Sequence, residues 1–132
     1  MPWFLTLSYL FTAGAIGGLA NALIVWFFGY KGINQYLGAQ IFPKMTTSYL
    51  YPKIVWGGLW GLLFVAAIRG NAFFYYAIPI SLVPTLVQLL YIFPRQDLGL
   101  GGLKLGKFTP YLVVVFNLAW GYTAAIWIYF IN

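Results

Sequence analysis

The sequence predicts an all-α integral membrane protein: four transmembrane helices in a compact bundle. Three observations carry that expectation. Only 6% of the residues are charged against 63% hydrophobic, whereas a soluble domain carries about a quarter charged residues to cover its surface. Four long apolar stretches alternate with basic, glycine- and proline-bearing connections. The 132 residues leave room for one such domain and no second, soluble one. Residues 1–132 therefore read as a single transmembrane domain, with spans near 3–29, 49–68, 72–93 and 111–131.

The first span, Trp3 to Gly29, is 27 residues long, about 40 Å at the helical rise, so it must tilt or protrude. It lacks a basic leader and stays apolar too long for a cleavable signal, which makes it a retained helix. In the long connection that follows, Ile33, Tyr36, Leu37 and Ile41 fall at helical spacing with Asn34, Gln35 and Gly38 opposite. That pattern predicts an interfacial element in the first long loop.

The second span is short if it begins at Ile54. It reaches the roughly 20 residues a bilayer needs by starting at Tyr49, with Pro52 in its first turn and Lys53 snorkelling outward. "RGN" at 69–71 makes a tight turn into the third span. There Pro79 and Pro84 each remove a backbone donor, which predicts a kink. The stretch "PRQDLGLGGLKLGKFTP" has no helical stripe and reads as an ordered loop at headgroup level. It only superficially matches a phosphate loop: Phe108 stands where a Ser or Thr is needed, and no strand precedes it.

Seven Lys and Arg stand against one acid, Asp97. Six of the seven lie in the long connections at 30–53 and 94–110, and Arg69 alone lies on the other side. The positive-inside rule puts the long basic loops in the cytoplasm and both termini opposite, in a bacterial inner or thylakoid-type membrane. The expected counter-charge is the anionic headgroup of membrane lipids on the cytoplasmic side, not nucleic acid. Asp97, close to Arg95, reads as a local ion pair or a turn residue.

The two halves share a plan, and a shift of 60 residues aligns Tyr51, Trp60 and Gly61 with Tyr111, Trp120 and Gly121. Read as structure, this is a parallel repeat about an axis along the membrane normal. It would set Gly57 opposite Asn117.

Inside hydrocarbon the informative residues are the polar ones. Asn21, Gln88 and Asn117 lie at similar depth on three helices, about 8–12 Å from the cytoplasmic ends of their spans. Ser81, Thr85 and Gln88 share one face of the third helix. Two readings follow: the amides join helices as hydrogen-bonding glue, or Asn21, Ser81, Thr85, Gln88 and Asn117 form a polar seam or pocket. In the second case Lys53, Arg95 and Lys107 at its mouth are headgroup-binding candidates. No ionisable group is expected in mid-span, which argues against a proton relay.

Small residues mark the helix contacts. Gly14, Gly17 and Gly18 on the first helix, Gly57 and Gly61 on the second and Gly121 on the fourth are the expected packing positions. The segment "IVWGGLWGLL" at 54–63 accordingly reads as a contact surface, with Trp56 near the headgroups and Trp60 deeper.

Absences exclude whole chemistries. With no His and no Cys, disulfides, thiolate catalysis and the commonest metal and haem ligands are gone. One carboxylate makes no acid–base pair. The sequence implies no enzyme, no metal and no cofactor. The expectation is a non-catalytic small integral membrane protein, acting as a lipid-binding or accessory subunit of a membrane complex or homo-oligomer. The alternative is an oligomeric channel or facilitator that passes a small neutral or anionic solute along the polar seam.

Overall fold

The computed structural model describes residues 2–70 and 73–131, and over these the chain is helical with no strand. Asn71 of the expected 69–71 turn and Ala72, the expected start of the third span, lie outside the described residues. Four helices are long and apolar enough to cross a membrane: Trp3–Tyr30, Thr47–Ala67, Phe73–Arg95 and Thr109–Ile131.

Helix α1 (Trp3–Tyr30) is stopped by Gly32, whose φ of +79° turns the chain out of the helix. Helix α2 (Ile33–Tyr36) is a single turn. Its faces differ from the expected ones: Tyr36 is exposed while Asn34 is fully buried. The cause is local. Asn34 Nδ2 donates to the Ile41 carbonyl at 2.7 Å, so the amide points inward and holds the returning segment.

Helix α3 (Thr47–Gly61) begins where Thr46 Oγ1 accepts the Tyr49 N–H at 3.1 Å, a side-chain cap. The early start makes Pro52 the sixth residue of α3, inside the helix instead of in its first turn. From Leu62 to Gly70 the chain tightens into a 3₁₀ helix. A 3₁₀ helix rises about 2.0 Å per residue against 1.5 Å for an α-helix, so Thr47–Ala67 covers about 34 Å. As an α-helix throughout, the same segment would cover about 31 Å, so the 3₁₀ stretch adds about 3 Å. Phe64 and Ala67, three apart, are both buried, the spacing a threefold helix requires.

Helix α4 (Phe73–Val87) carries Pro79 and Pro84 within it, and the helix continues past both. The departure from α geometry falls later, at a π turn over Gln88–Ile92, where Phe93 N–H bonds the Gln88 carbonyl. Helix α5 (Phe93–Arg95) completes the same rod. A π turn of this kind inserts one extra residue and re-aims the side chains around it. Helix α6 (Thr109–Ile131) opens with Pro110 at a position where no backbone donor is needed.

In the bundle, α1 packs on α3 and on α6, and α6 packs on α4. A parallel repeat would map α1 onto α4 and α3 onto α6, so the close α1–α6 pairing should recur between α4 and α3. It does not: α3 and α4 stand apart, and a groove lies between them. Two apolar clusters fill the interior. Leu10, Phe64, Phe73, Trp120 and Ile128 anchor one, toward the chain termini; Val25, Ala39, Leu112 and Phe116 form the other, toward the long loops. The outer surface is apolar too, with Trp3, Phe4, Leu86 and Phe130 all exposed, as a lipid-facing surface requires.

The long loops meet each other. Gln40 N–H donates to the Leu105 carbonyl at 2.8 Å, and Gly106 lies against Gly38 and Ala39 too closely for any side chain. Asp97, at φ +61°, is a turn residue; its neighbour Arg95 bonds the Tyr91 hydroxyl at 3.2 Å.

Candidate functional site

The glycine positions come first because they set how closely the helices approach. Gly14 and Gly18 of α1 interlock with Gly57 and Gly61 of α3. A Cβ on Gly57 would lie 2.7 Å from the Gly14 carbonyl oxygen and 2.8 Å from Gly18 Cα, and one on Gly61 would lie 2.7 Å from Gly14 Cα. Gly17 takes the Trp120 backbone of α6, and Gly121 packs on Ala77 and Ser81 of α4. Gly57 therefore faces α1, not Asn117 as the repeat implied.

Trp120 is nearly fully buried, and its indole N–H is shared between two carbonyls at this junction, Gly14 at 3.1 Å and Gly57 at 3.2 Å. One side chain on α6 thus bonds both helices of the glycine interface.

Between the two apolar clusters lies a polar layer. Lys53 Nζ (α3) donates to Asn21 Oδ1 (α1) at 3.1 Å. Asn21 Nδ2 donates to the Phe116 carbonyl at 2.8 Å and to Asn117 Oδ1 (α6) at 3.2 Å. Asn117 Nδ2 donates to Thr85 Oγ1 (α4) at 2.9 Å, and the Thr85 hydroxyl donates to the Ser81 carbonyl at 2.8 Å. The result is one hydrogen-bonded chain through all four spanning helices.

Lys53 corrects the expectation most sharply. It was expected within the second span but snorkelling outward, at the mouth of the polar pocket, with no ionisable group in mid-span. Instead its ammonium turns inward, about 9 Å along its helix from Thr47. The signal was present in the sequence: Tyr49, Lys53, Gly57 and Gly61 recur every four residues, so Lys53 belongs to the glycine stripe that faces α1. Tyr49 shares that face, and its hydroxyl donates to the Ala22 carbonyl at 2.7 Å. Tyr49 and Trp120 had no bonding role in the sequence reading, where Tyr49 marked only the start of the second span and Trp120 only a position of the apparent repeat.

Two clefts converge on this layer. One, of about 370 Å³, lies beneath the long loops, against Gln40, Phe42 and Leu105. The other, of about 580 Å³, is the groove between α3 and α4, walled by Trp56, Trp60, Val87 and Ile92. Asn21, Tyr49, Lys53, Gln88 and Asn117 line both. Gln88, the first residue of the π turn, makes no side-chain hydrogen bond to the described residues. Ser81 is buried and bonds its own helix through the Ile78 carbonyl. Arg95 and Lys107 are exposed and line neither cleft.

Chemically, the arrangement offers an ammonium and a free carboxamide at the foot of an apolar groove. No protein-family model, curated protein or solved structure matches the chain.

Proposed function

We propose that the protein is a non-catalytic lipid-binding protein of the membrane, and that the groove between α3 and α4 holds a lipid. The observation that carries this reading is the groove itself. It is apolar along its walls, polar at its foot, and its volume of about 580 Å³ falls within the roughly 300–1,000 Å³ typical of ligand sites. Bilayer lipid is the apolar molecule present at the highest concentration around any spanning helix. Asn21 and Asn117 bond each other, and Asn117 bonds Thr85, which leaves Gln88 as the one seam amide without a side-chain bond to the described residues; this favours a binding site over a conducting pore lined by free polar groups.

In the same reading the long basic loops lie in the cytoplasm of a bacterial inner or thylakoid-type membrane, and the termini lie opposite. The α2 turn lies at the interface, and a bend at Pro79 and Pro84 keeps α4 away from α3. The exposed aromatic surface serves self-association or an accessory role in a larger complex. A cysteine introduced as Ser48→Cys then reacts with an impermeant reagent only from the cytoplasmic face. Labelling from the other face overturns the orientation.

The binding test is lipid retention. Protein purified in mild detergent should carry lipid at about one molecule per chain by native mass spectrometry. Val87→Trp, which fills the groove wall, should abolish retention while the helical circular dichroism is kept. A wild-type chain that is monodisperse and binds no lipid of any kind overturns the proposal.

A further inference from the structure

We infer that Lys53 is the headgroup site for a singly charged anionic phospholipid, its phosphodiester on the ammonium and an acyl chain along the α3–α4 groove. This rests on the groove being a lipid site and adds which lipid it selects.

The first argument is charge. An ammonium held below the membrane surface is costly without a compensating anion. The chain has only one acid, Asp97, which is exposed in the 94–110 loop and lines neither cleft. Neutral groups surround Lys53: the Asn21 amide at 3.1 Å and the Tyr49 ring, its centroid 6.0 Å from Nζ. No acid of the chain lines the clefts around Lys53, so a bound anion is the partner that would hold the ammonium in its charged form.

The second argument is capacity. A lysine ammonium has three N–H donors, and one of them reaches Asn21. The Gln88 amide lines the same two clefts with its own donors uncommitted. Together these are donors suited to the oxygens of one phosphate. The other basic candidates, Arg95 and Lys107, line neither cleft. With a single cation in reach, a second negative charge on the headgroup would go unmatched, so the site favours a monoanion.

The third argument is shape. Lys53 lies where the two clefts join. The groove takes the apolar part of an amphiphile, and the cleft beneath Gln40 and Leu105 takes what extends beyond the phosphate. A free phosphate ion uses none of the apolar wall formed by Trp56, Trp60 and Val87.

The experiment is native mass spectrometry of the full chain in mild detergent, titrated with phosphatidylglycerol or with phosphatidylcholine of the same acyl composition. The wild type should bind one phosphatidylglycerol per chain, about fivefold more tightly than phosphatidylcholine. Lys53→Met should remove that preference and Lys53→Arg should restore it. Gln88→Leu removes neutral donors to a phosphodiester that both lipids carry, so it should weaken both and keep their ratio; if Lys53→Met does not fold, Lys53→Gln, which keeps a donor for Asn21 without the charge, should lose the preference in its place. Equal binding of the two lipids by the wild type, or a preference unchanged in a folded Lys53→Met, overturns the assignment and leaves a lipid-binding groove standing. Binding of neither lipid overturns the assignment, and with no co-purified lipid of any kind it overturns the lipid-binding groove as well. Displacement of phosphatidylglycerol by millimolar inorganic phosphate assigns the site to the free anion and overturns the lipid.

Discussion

Helix α3 faces α1 on one side and α4 on another, and it treats the two in opposite ways. Toward α1 it presents Gly57 and Gly61, and the backbones approach until no Cβ fits between them. Toward α4 it presents Trp56 and Trp60 across an open groove. Residues one position apart in sequence, Trp56 and Gly57, thus give the helix an open side and a closed one. In a membrane, apolarity gives no preference for helix over lipid, so association follows from close packing and hydrogen bonds. The glycine face has both and is closed. The tryptophan face has neither toward α4 and stays open.

Three substitutions probe that difference, in descending order of effect. Gly57→Leu forces α1 and α3 apart along their whole contact and should cost about 3 kcal/mol or more. Thermal unfolding in detergent and the loss of a monodisperse peak will register it; a near-wild-type melting temperature breaks the comparison. Asn21→Leu removes the link between Lys53 and Asn117 and strands an ammonium and an amide. A cost of about 1–3 kcal/mol is expected, above the roughly 0.6 kcal/mol average for a membrane hydrogen bond. A melting shift no larger than that of Thr85→Val would mean that the ammonium finds another partner. Trp56→Phe, on the open face, should stay within about 0.5 kcal/mol by the same measurement. A larger loss there shows that the groove wall is itself a packed surface.

Much of the fold was legible because membrane constraints are severe. Length and apolarity alone locate four spans, and the small-residue stripes locate the faces that meet, since only glycine permits such approach. The depth of Asn21, Asn117 and Gln88 was readable from helical rise. What was not readable depended on direction. Lys53 has a four-carbon stem that reaches either the headgroups or the interior, and its place near the span end favoured the wrong choice. Its register with Gly57 and Gly61 was the better guide. The π turn at Gln88 and the 3₁₀ segment after Gly61 have no compositional mark, because Leu, Val and Ile suit all three helix types. The apparent repeat misled because it aligned Trp60 with Trp120, two residues in different settings: one at the groove wall, the other buried at the junction of α1, α3 and α6.

The polar layer also has a sense of direction. A lysine ammonium can only donate, so Asn21 must offer Lys53 its oxygen, which leaves its nitrogen for α6. Asn117 must then present oxygen to Asn21 and nitrogen to Thr85, and the Thr85 proton is left for the Ser81 carbonyl. Each amide by itself could sit in either of two orientations. A single cation on α3 selects one orientation for the side chains of three other helices, so the charge works as the reading frame of the layer as well as one of its bonds.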